Sequence, residues 1–505
     1  MTEQNRKRPN IIYMMSDDHA AHAISAYSPL LMKTPHLDRL AHEGAKLNNA
    51  FCTNSICAPS RAAILTGTYN HVNRVRTIWE DLDNRLPTFV SAMHDDGYHT
   101  AIFGKWHLGH GPLSEPTGFD AWEVLPGQGD YIDPDFITAD GKVKKQGYVT
   151  TIITDLAMNW IDSLEDDEPF CLLVHHKAPH LPWYPDERHK DLFADENLPE
   201  PETLHEDLTD RIEAVKRARM NIAKHMPAWA GQGDAPEGMS DRERQSWAYQ
   251  RYIKDYLRCI ASIDENTGRL LDFLDERGLT DDTLIIYTSD QGFFLGEHGW
   301  YDKRFMYEES LRMPFLIRYP REVAAGSVVD AMVTNVDFAQ TLCDYAGVEM
   351  HAGAQGRSFR EVLRGETPDD WQDAVYYRYW EHEDPIHNTT SHYGIRTERF
   401  KLIYYYADGM GIPFTGPTKG PIEWELFDLK SDAQETRNLY DDPAYFDVRE
   451  SLKLRLAELQ QRIGDDPWEP GNRAAENLVT GEVKVSDVFL GMLPQWVRDQ
   501  TWKQV

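Results

Sequence analysis

Five short apolar runs punctuate this chain, at residues 9–16, 100–103, 169–176, 283–289 and 313–319. Unbroken runs of this length suit strands buried on both faces. Helical periodicity fills the intervals, at 34–43, 59–65, 86–96, 151–164 and 241–277. Strands that alternate with helices imply an α/β fold, a sandwich of helices around a large, mostly parallel sheet. Ligands of such sheets collect at the carboxyl ends of the strands. The residues that follow each run therefore carry the functional reading.

The texture changes near residue 370. Strand-like segments at 374–380, 393–396, 400–406 and 424–429 are separated by turns, and an amphipathic helix follows at 444–463. This pattern predicts a smaller antiparallel sheet with one helix packed on it. The expected division is a catalytic α/β domain over 1–370 and a C-terminal α+β subdomain with a tail over 371–505. The acidic stretch 186–240 reads as an excursion over the surface. Beyond Asp465 the scattered Trp and Leu suggest a tail that docks.

Charge limits the partners. The 505 residues include 83 Asp and Glu against 52 Lys and Arg, a net charge of −31. Such a chain repels nucleic acid and anionic membrane, so neither is expected as a partner. The opening MTEQNRKRPN lacks the apolar run of a signal peptide, and no window of about 18 apolar residues occurs. The five cysteines are odd in number and scattered, which argues against a disulfide framework or a CxxC-type zinc site. A cytoplasmic protein with reduced thiols is the expectation. A homo-oligomer is compatible with the sequence, which does not specify the oligomeric state.

Six segments bear unusual polar residues. Asp17-Asp18 ends the first run and Asp290-Gln291 ends the fourth. Acidic pairs at two strand ends can converge as oxygen ligands for a hard cation, although each also makes an ordinary helix or turn cap. Cys57-Ala58-Pro59-Ser60-Arg61 opens a helix, whose backbone N–H groups favour an anion or an ionised nucleophile. A buried structural cysteine is the plain alternative. Gly104-Lys105-Trp106-His107 follows the second run, and an extended backbone would point Lys105 and His107 the same way. His180 lies in a proline-stiffened loop after the third run, and Lys303 follows Asp290 by 13 positions.

Together these segments resemble the type I, formylglycine-dependent sulfatases of the alkaline-phosphatase superfamily. Cys57-x-Pro59-Ser60-Arg61 with its following LTG looks like their signature. Asp17-Asp18, Gly104–His107, the PH-P loop at His180, Asp290-Gln291-Gly292 and Lys303 occur in the family's order. The resemblance runs from about residue 9 to 320, with a family-like subdomain beyond. It implies that Cys57 is oxidised to formylglycine by a formylglycine-generating enzyme. It implies that Asp17, Asp18, Asp290 and Gln291, together with the formylglycine made from Cys57, bind a divalent metal, usually Ca²⁺, with Mg²⁺ as the alternative. Gln291 stands where the family often has Asn. Arg61, Lys105 and His107 match groups that hold the formylglycine, and His180 and Lys303 match groups that contact the sulfate and its leaving oxygen.

The implied reaction is hydrolysis of a sulfate monoester. One hydroxyl of hydrated formylglycine attacks sulfur, and collapse of the other to the aldehyde expels sulfate. Three carboxylates, a divalent cation and the side chains of Arg61, Lys105 and Lys303 leave a formal charge of +2, which suits an anionic ester. The same charge suits a phosphonate monoester or phosphodiester. A binding protein with unmodified Cys57 is the non-catalytic alternative. Residues 290–304 resemble the N-acetylglucosamine-6-sulfatase type of glycan sulfatase, which points to a small sulfated sugar or an aryl sulfate as substrate. Trp79, Glu80, Trp183, Arg304, His382 and His392 are candidates for the pocket walls, and packing explains each of them equally well.

Overall fold

A computed structural model of the protein describes residues 8–165, 168–226, 235–416 and 419–465. The tail beyond Asp465 lies outside the described residues. A ten-stranded sheet forms the centre. From edge to edge it runs Ser327–Val329, Ala45–Leu47, Phe315–Arg318, Thr283–Ser289, Asn10–Ser16, Phe170–His175, His99–Lys105, Ala121–Leu125, Asp135–Thr138 and Gly141–Lys144. The five strands from Thr283–Ser289 to Ala121–Leu125 are parallel, and antiparallel strands flank them. The sheet is thus mixed, with its parallel part at the centre, where both faces are covered. The strands Asn10–Ser16, Phe170–His175 and Thr283–Ser289 are buried along their whole length.

Register explains how distant residues meet. Ser16 pairs with Ser289, Met15 with His175, and Gly104 with His175. Four parallel strands therefore end level with one another. The segments beginning at Asp17, Lys105, His176 and Asp290 leave the sheet side by side.

Helices cover both faces. The 36-residue helix Asp241–Glu276 lies on one, started by a capping box in which Ser240 and Glu243 bond each other's backbone N–H groups. Its stripe of Tyr249, Tyr252, Tyr256 and Ile260 is buried. Helix Cys57–Thr66 belongs to the other layer and is buried on every side. Among the described residues no helix is long and apolar enough to cross a membrane. The five cysteines are buried and unpaired.

The small sheet is antiparallel, in the order Ala374–Tyr379, His392–Thr397, Phe400–Tyr405, Glu423–Asp428, and helix Phe446–Ile463 packs on it. Its two faces have different fates. Tyr376, Ile395, Leu402 and Leu426 meet Leu452 and Leu456 of that helix. Val375, Tyr377, Tyr379, Ile403 and Phe427 join the core beneath the large sheet. The C-terminal sheet thus completes the main core as well as building a small one of its own.

Candidate active site

The polar groups at the level strand ends converge. One oxygen from each of Asp17, Asp18 and Asp290 lies within 4.8 Å of the others, and all three residues are fully buried. Asp18 takes a left-handed backbone, φ +68°, which a short polar side chain tolerates. Its carbonyl accepts from Tyr256 Oη at 2.7 Å, and the same hydroxyl accepts from Ala20 N at 2.8 Å. The long helix thereby pins the bend that carries Asp18. Nothing in the sequence around Tyr256 marked this role beyond its place on a buried helical stripe.

Helix Cys57–Thr66 aims its first residue into this group. Cys57 Sγ donates to Asp17 Oδ1 at 3.1 Å, and Lys303 Nζ lies 3.5 Å from the sulfur. Arg61, one turn along, donates from Nε to Asp290 Oδ2 at 3.0 Å and from Nη1 to the Lys105 carbonyl at 2.8 Å. Ser60 bonds the Asp290 carbonyl, and Asn335 Nδ2 donates to Ser60 Oγ at 2.9 Å. Burial pushes the Cys57 thiol far up, the Lys303 ammonium offsets this only in part, and Asp290 and Asp18 add to the rise. The cysteine here is a neutral thiol that donates.

Lys105 ends its strand with Nζ on Asp17 Oδ2 and on Gln128 Oε1. Gly104 allows it. Its φ is +109°, and a Cβ there would overlap the His175 carbonyl. Gln128 was not legible in the sequence, because the loop that presents it has no recognisable pattern. The expected alternation of Lys105 and His107 fails, since His107 has φ +55° and the backbone is no longer extended. His107 still lies within the fields of Lys105, Arg61 and Lys303, which add to burial in holding its imidazole neutral.

His180 and Lys303 close the group. His180 Nδ1 donates to the Leu181 carbonyl at 2.5 Å, so Nε2 is the nitrogen that faces inward, 3.8 Å from Asp18 Oδ2. Lys303 Nζ rests on Asp18 Oδ1. Burial works against that ammonium, but Asp18 and the neighbouring carboxylates hold its pKa above the ordinary lysine range.

Two acceptors in this group have no hydrogen-bond partner although buried: Asp18 Oδ2 and Gln291 Oε1. The amide nitrogen of Gln291 is turned to Asp18 Oδ1 at 2.5 Å. Three carboxylates around one point, with the Gln291 side chain against Asp18, form an oxygen set that fits a hard divalent cation.

The wall candidates divide. Arg304 lies beside Lys303, with Nη1 on Glu381 Oε2 at 2.8 Å and on Tyr379 Oη at 3.1 Å. Glu381 also bonds Ile78 N, which ties the Trp79–Glu80 loop to this side. Trp79 packs on Phe414 with ring centroids 4.9 Å apart, and Glu80 pairs with Arg76. His382 is buried, and its Nδ1 accepts from Ser391 N at 3.3 Å. Trp183 and His392 make packing contacts. Trp183 packs on Tyr252 and donates from its indole to the Pro179 carbonyl at 2.7 Å, bracing the His180 loop from behind. His392 sits among Phe305, Tyr377, Tyr379 and Tyr405, with Nδ1 on the Thr390 carbonyl and Nε2 accepting from Met306 N.

With this geometry in hand, comparison with known proteins is decisive. Residues 9–348 match the sulfatase family, and residues 296–462 match the C-terminal region of N-sulphoglucosamine sulphohydrolase. The chain belongs to the sulfatase family. It is a sulfuric ester hydrolase of alkaline-phosphatase-like fold. An N-acetylglucosamine-6-O-sulfatase of Bacteroides thetaiotaomicron is 41% identical over 514 residues, covering 92% of this chain and 89% of the relative. A solved sulfatase structure in complex with its substrate D-glucosamine-2-N,6-O-disulfate superposes with TM-score 0.84 at 40% identity, covering 91% of this chain and 99% of the other. A phosphonate monoester hydrolase of Agrobacterium radiobacter shares the fold, with TM-score 0.69 at 22% identity, covering 90% and 96% of the two chains.

Proposed function

We propose that this sulfatase removes a 6-O-sulfate from a glucosamine-type sugar, with Cys57 converted to formylglycine by a dedicated maturation enzyme. The convergence of Cys57 with Asp17, Lys303 and Gln291 at the mouth of a helix carries the catalytic reading. The sugar rests on the 41%-identical N-acetylglucosamine-6-O-sulfatase. Asp17, Asp18, Asp290 and Gln291 would hold a divalent cation, Ca²⁺ in this reading. When bound, it supplies polarisation of the sulfate oxygens and of the attacking hydroxyl.

The chain's own groups do the rest. Arg61, Lys105 and Lys303 offset the three carboxylates, so an anionic ester enters a pocket that is not repulsive. Arg61 and Lys105 lie on the helix side and fix residue 57, with His107 beside them. Lys303, held protonated by Asp18 and the neighbouring carboxylates, faces residue 57 as a positive charge and is the group placed to give a proton to the leaving alkoxide. His180, neutral with its one proton on Nδ1, turns Nε2 inward as an acceptor toward the sulfate site. Arg304 and the Trp79–Glu80 loop, with His382, border the sugar on the far side of Lys303. The division into 1–370 and 371–505 remains our working description. The five unpaired thiols favour a reducing, cytoplasmic setting.

The test is the mass of tryptic peptide 47–61 from the native host, followed by assays on glucosamine 6-sulfate and on a matched aryl phosphonate. Formylglycine lowers the peptide by about 18 Da. A shifted peptide with faster sulfate hydrolysis supports the reading. An unshifted Cys57 removes the nucleophile and favours the binding-protein alternative. Faster phosphonate hydrolysis assigns the phosphonate alternative.

A further inference from the structure

Gln128 sits in a tight turn that follows strand Ala121–Leu125. Gly129 N closes the turn by donating to the Pro126 carbonyl at 2.9 Å. Gly127 and Gly129, on either side of Gln128, both take left-handed backbone, with φ +55° and +68°, and a Cβ on Gly129 would crowd Leu125. His110, from the loop after Lys105, accepts from Gly127 N at 2.9 Å. The backbone is thus bent and tied so that the half-buried Gln128 turns toward the site.

Its amide oxygen accepts from Lys105 Nζ, and Lys105 is fully buried. An ammonium carries three N–H donors. Asp17 Oδ2 takes one and Gln128 Oε1 takes a second, and among the described residues the third has no partner. Asp17 is shared, since its Oδ1 also takes Cys57 Sγ and its carboxylate belongs to the group that fits a cation. Gln128 is therefore the acceptor that holds the Lys105 ammonium from outside that group. An amide oxygen also orients the ammonium without cancelling its charge, as a carboxylate would.

We propose that Gln128 is a positioning residue for Lys105. With Asp17 it fixes two of the three N–H bonds, which leaves the third for the reacting group on residue 57. This rests on the reading of Lys105 as a group that holds residue 57. Without the amide, an ammonium on a flexible four-carbon stem is free to swing. A small displacement of such a group costs a large share of the rate. The nucleophile is common to every substrate, so the loss should fall equally on esters with good and poor leaving groups.

The experiment compares Gln128→Met, Gln128→Glu, Lys105→Met and the double variant Gln128→Met with Lys105→Met against the parent enzyme, all full-length, matured and metal-loaded. The substrates are glucosamine 6-sulfate and 4-nitrophenyl sulfate. Gln128→Met is expected to lower kcat about 10- to 100-fold on both, with KM within about 2-fold. Gln128→Glu keeps the acceptor and should recover most of kcat, while its negative charge raises KM for the anionic ester. The double variant should match Lys105→Met within about 2-fold, because Gln128 acts through that ammonium. Additive losses in the double variant, or no loss in Gln128→Met, would overturn the positioning role. A loss confined to the sugar, with raised KM, would make Gln128 a sugar contact and overturn it as well. If Lys105→Met stays within about 3-fold of the parent in kcat, the reading of Lys105 fails and this inference falls with it. If Lys105→Met is slow and Gln128→Met is not, only this inference falls. Should Gln128→Met fail to accumulate, Gln128→Ser, too short to reach Lys105, is read in the same comparison.

Discussion

Lys303 and Arg304 are neighbours in sequence, yet they enter two different kinds of buried charge cluster. Lys303 joins Asp17, Asp18, Asp290, Arg61 and Lys105, where Asp18 Oδ2, Gln291 Oε1 and Arg61 Nη2 are left without hydrogen-bond partners. Arg304 joins Asp302, Glu381, Asp384 and His387. In that cluster Asp302 Oδ1 takes Arg304 Nε at 3.2 Å, and Asp384 Oδ1 takes His387 Nδ1 at 2.9 Å. No side-chain atom of its five residues is a buried orphan. Both clusters are deep, and both mix acids with bases. They differ in saturation. A cluster whose polar atoms are all spent stabilises a scaffold, whereas one with orphaned atoms is shaped for something that arrives later.

The largest expected effect breaks the first cluster at its centre. Cys57→Ala should lower kcat/KM on a sulfated sugar by about 10⁴-fold or more, the scale of removing a nucleophile that acts as part of a unit. Its Tm should stay near that of the parent, because the thiol makes few contacts. Activity within tenfold of the parent would mean that residue 57 is not the reacting group. The next effect concerns the cation. Metal-free parent protein should gain Tm when Ca²⁺ is added, by mass action on the folded state. Asp290→Asn should weaken that response by more than the ~10- to 100-fold in affinity typical of outer-shell changes, while Arg304→Met should leave it intact. If both variants lose the Ca²⁺ response alike, the two clusters are one site and the contrast drawn between them is wrong.

Much of the first cluster was legible in the sequence, for a physical reason. Parallel strands that end level bring their next residues together, so Asp17, Lys105, His180 and Asp290 were marked by position and type alone. The scaffold around them was hidden. Gln128 on Lys105, Tyr131 on the His180 carbonyl, Tyr256 on the Asp18 carbonyl and Asn335 on Ser60 act across 23 to 275 residues of chain, and no local pattern encodes such contacts. Trp183 and His392 could not be sorted by sequence, because an aromatic or imidazole in a loop or strand looks the same whether it lines a pocket or fills a core. The Arg304 cluster escaped notice because two of its acids, Glu381 and Asp384, come from the loop between the first two strands of the small sheet, far along the chain. The antiparallel flanks of the large sheet were missed for a simpler reason, since apolar run length carries no strand direction.

The Arg304 cluster should yield to stability measurements before activity. Arg304→Met leaves Glu381 and the paired carboxylates without their central cation. Removing one partner from a buried ion-pair network typically costs about 3–5 kcal/mol, which would appear in urea unfolding. A loss under about 1 kcal/mol would place Arg304 among groups that water screens.

The smallest effect is the most diagnostic, and it concerns His387. Its two ring nitrogens both face carboxylates, Nδ1 at 2.9 Å from Asp384 and Nε2 at 3.3 Å from Asp302. A neutral imidazole can donate to only one of them, so the geometry calls for the doubly protonated ring. Burial and the nearby Arg304 oppose that charge, but the two carboxylates prevail and hold the His387 pKa above its ordinary 6.5. Burial likewise opposes the charges of Asp302 and Asp384, yet the cations around them hold both carboxyls below the ordinary range. The folded protein therefore keeps a proton on His387 that the unfolded chain releases near pH 6.5. Its contribution to stability is complete below that pH and is lost as pH rises through the folded value. His387→Asn should flatten this alkaline decline in unfolding free energy. The acid side, set by Asp302 and Asp384, should become shallower as well, because His387 is among the cations that hold both carboxyls low. An unchanged alkaline slope would mean that His387 is neutral in the fold, and that the cluster shares a proton between Asp302 and Asp384 instead of holding a full imidazolium.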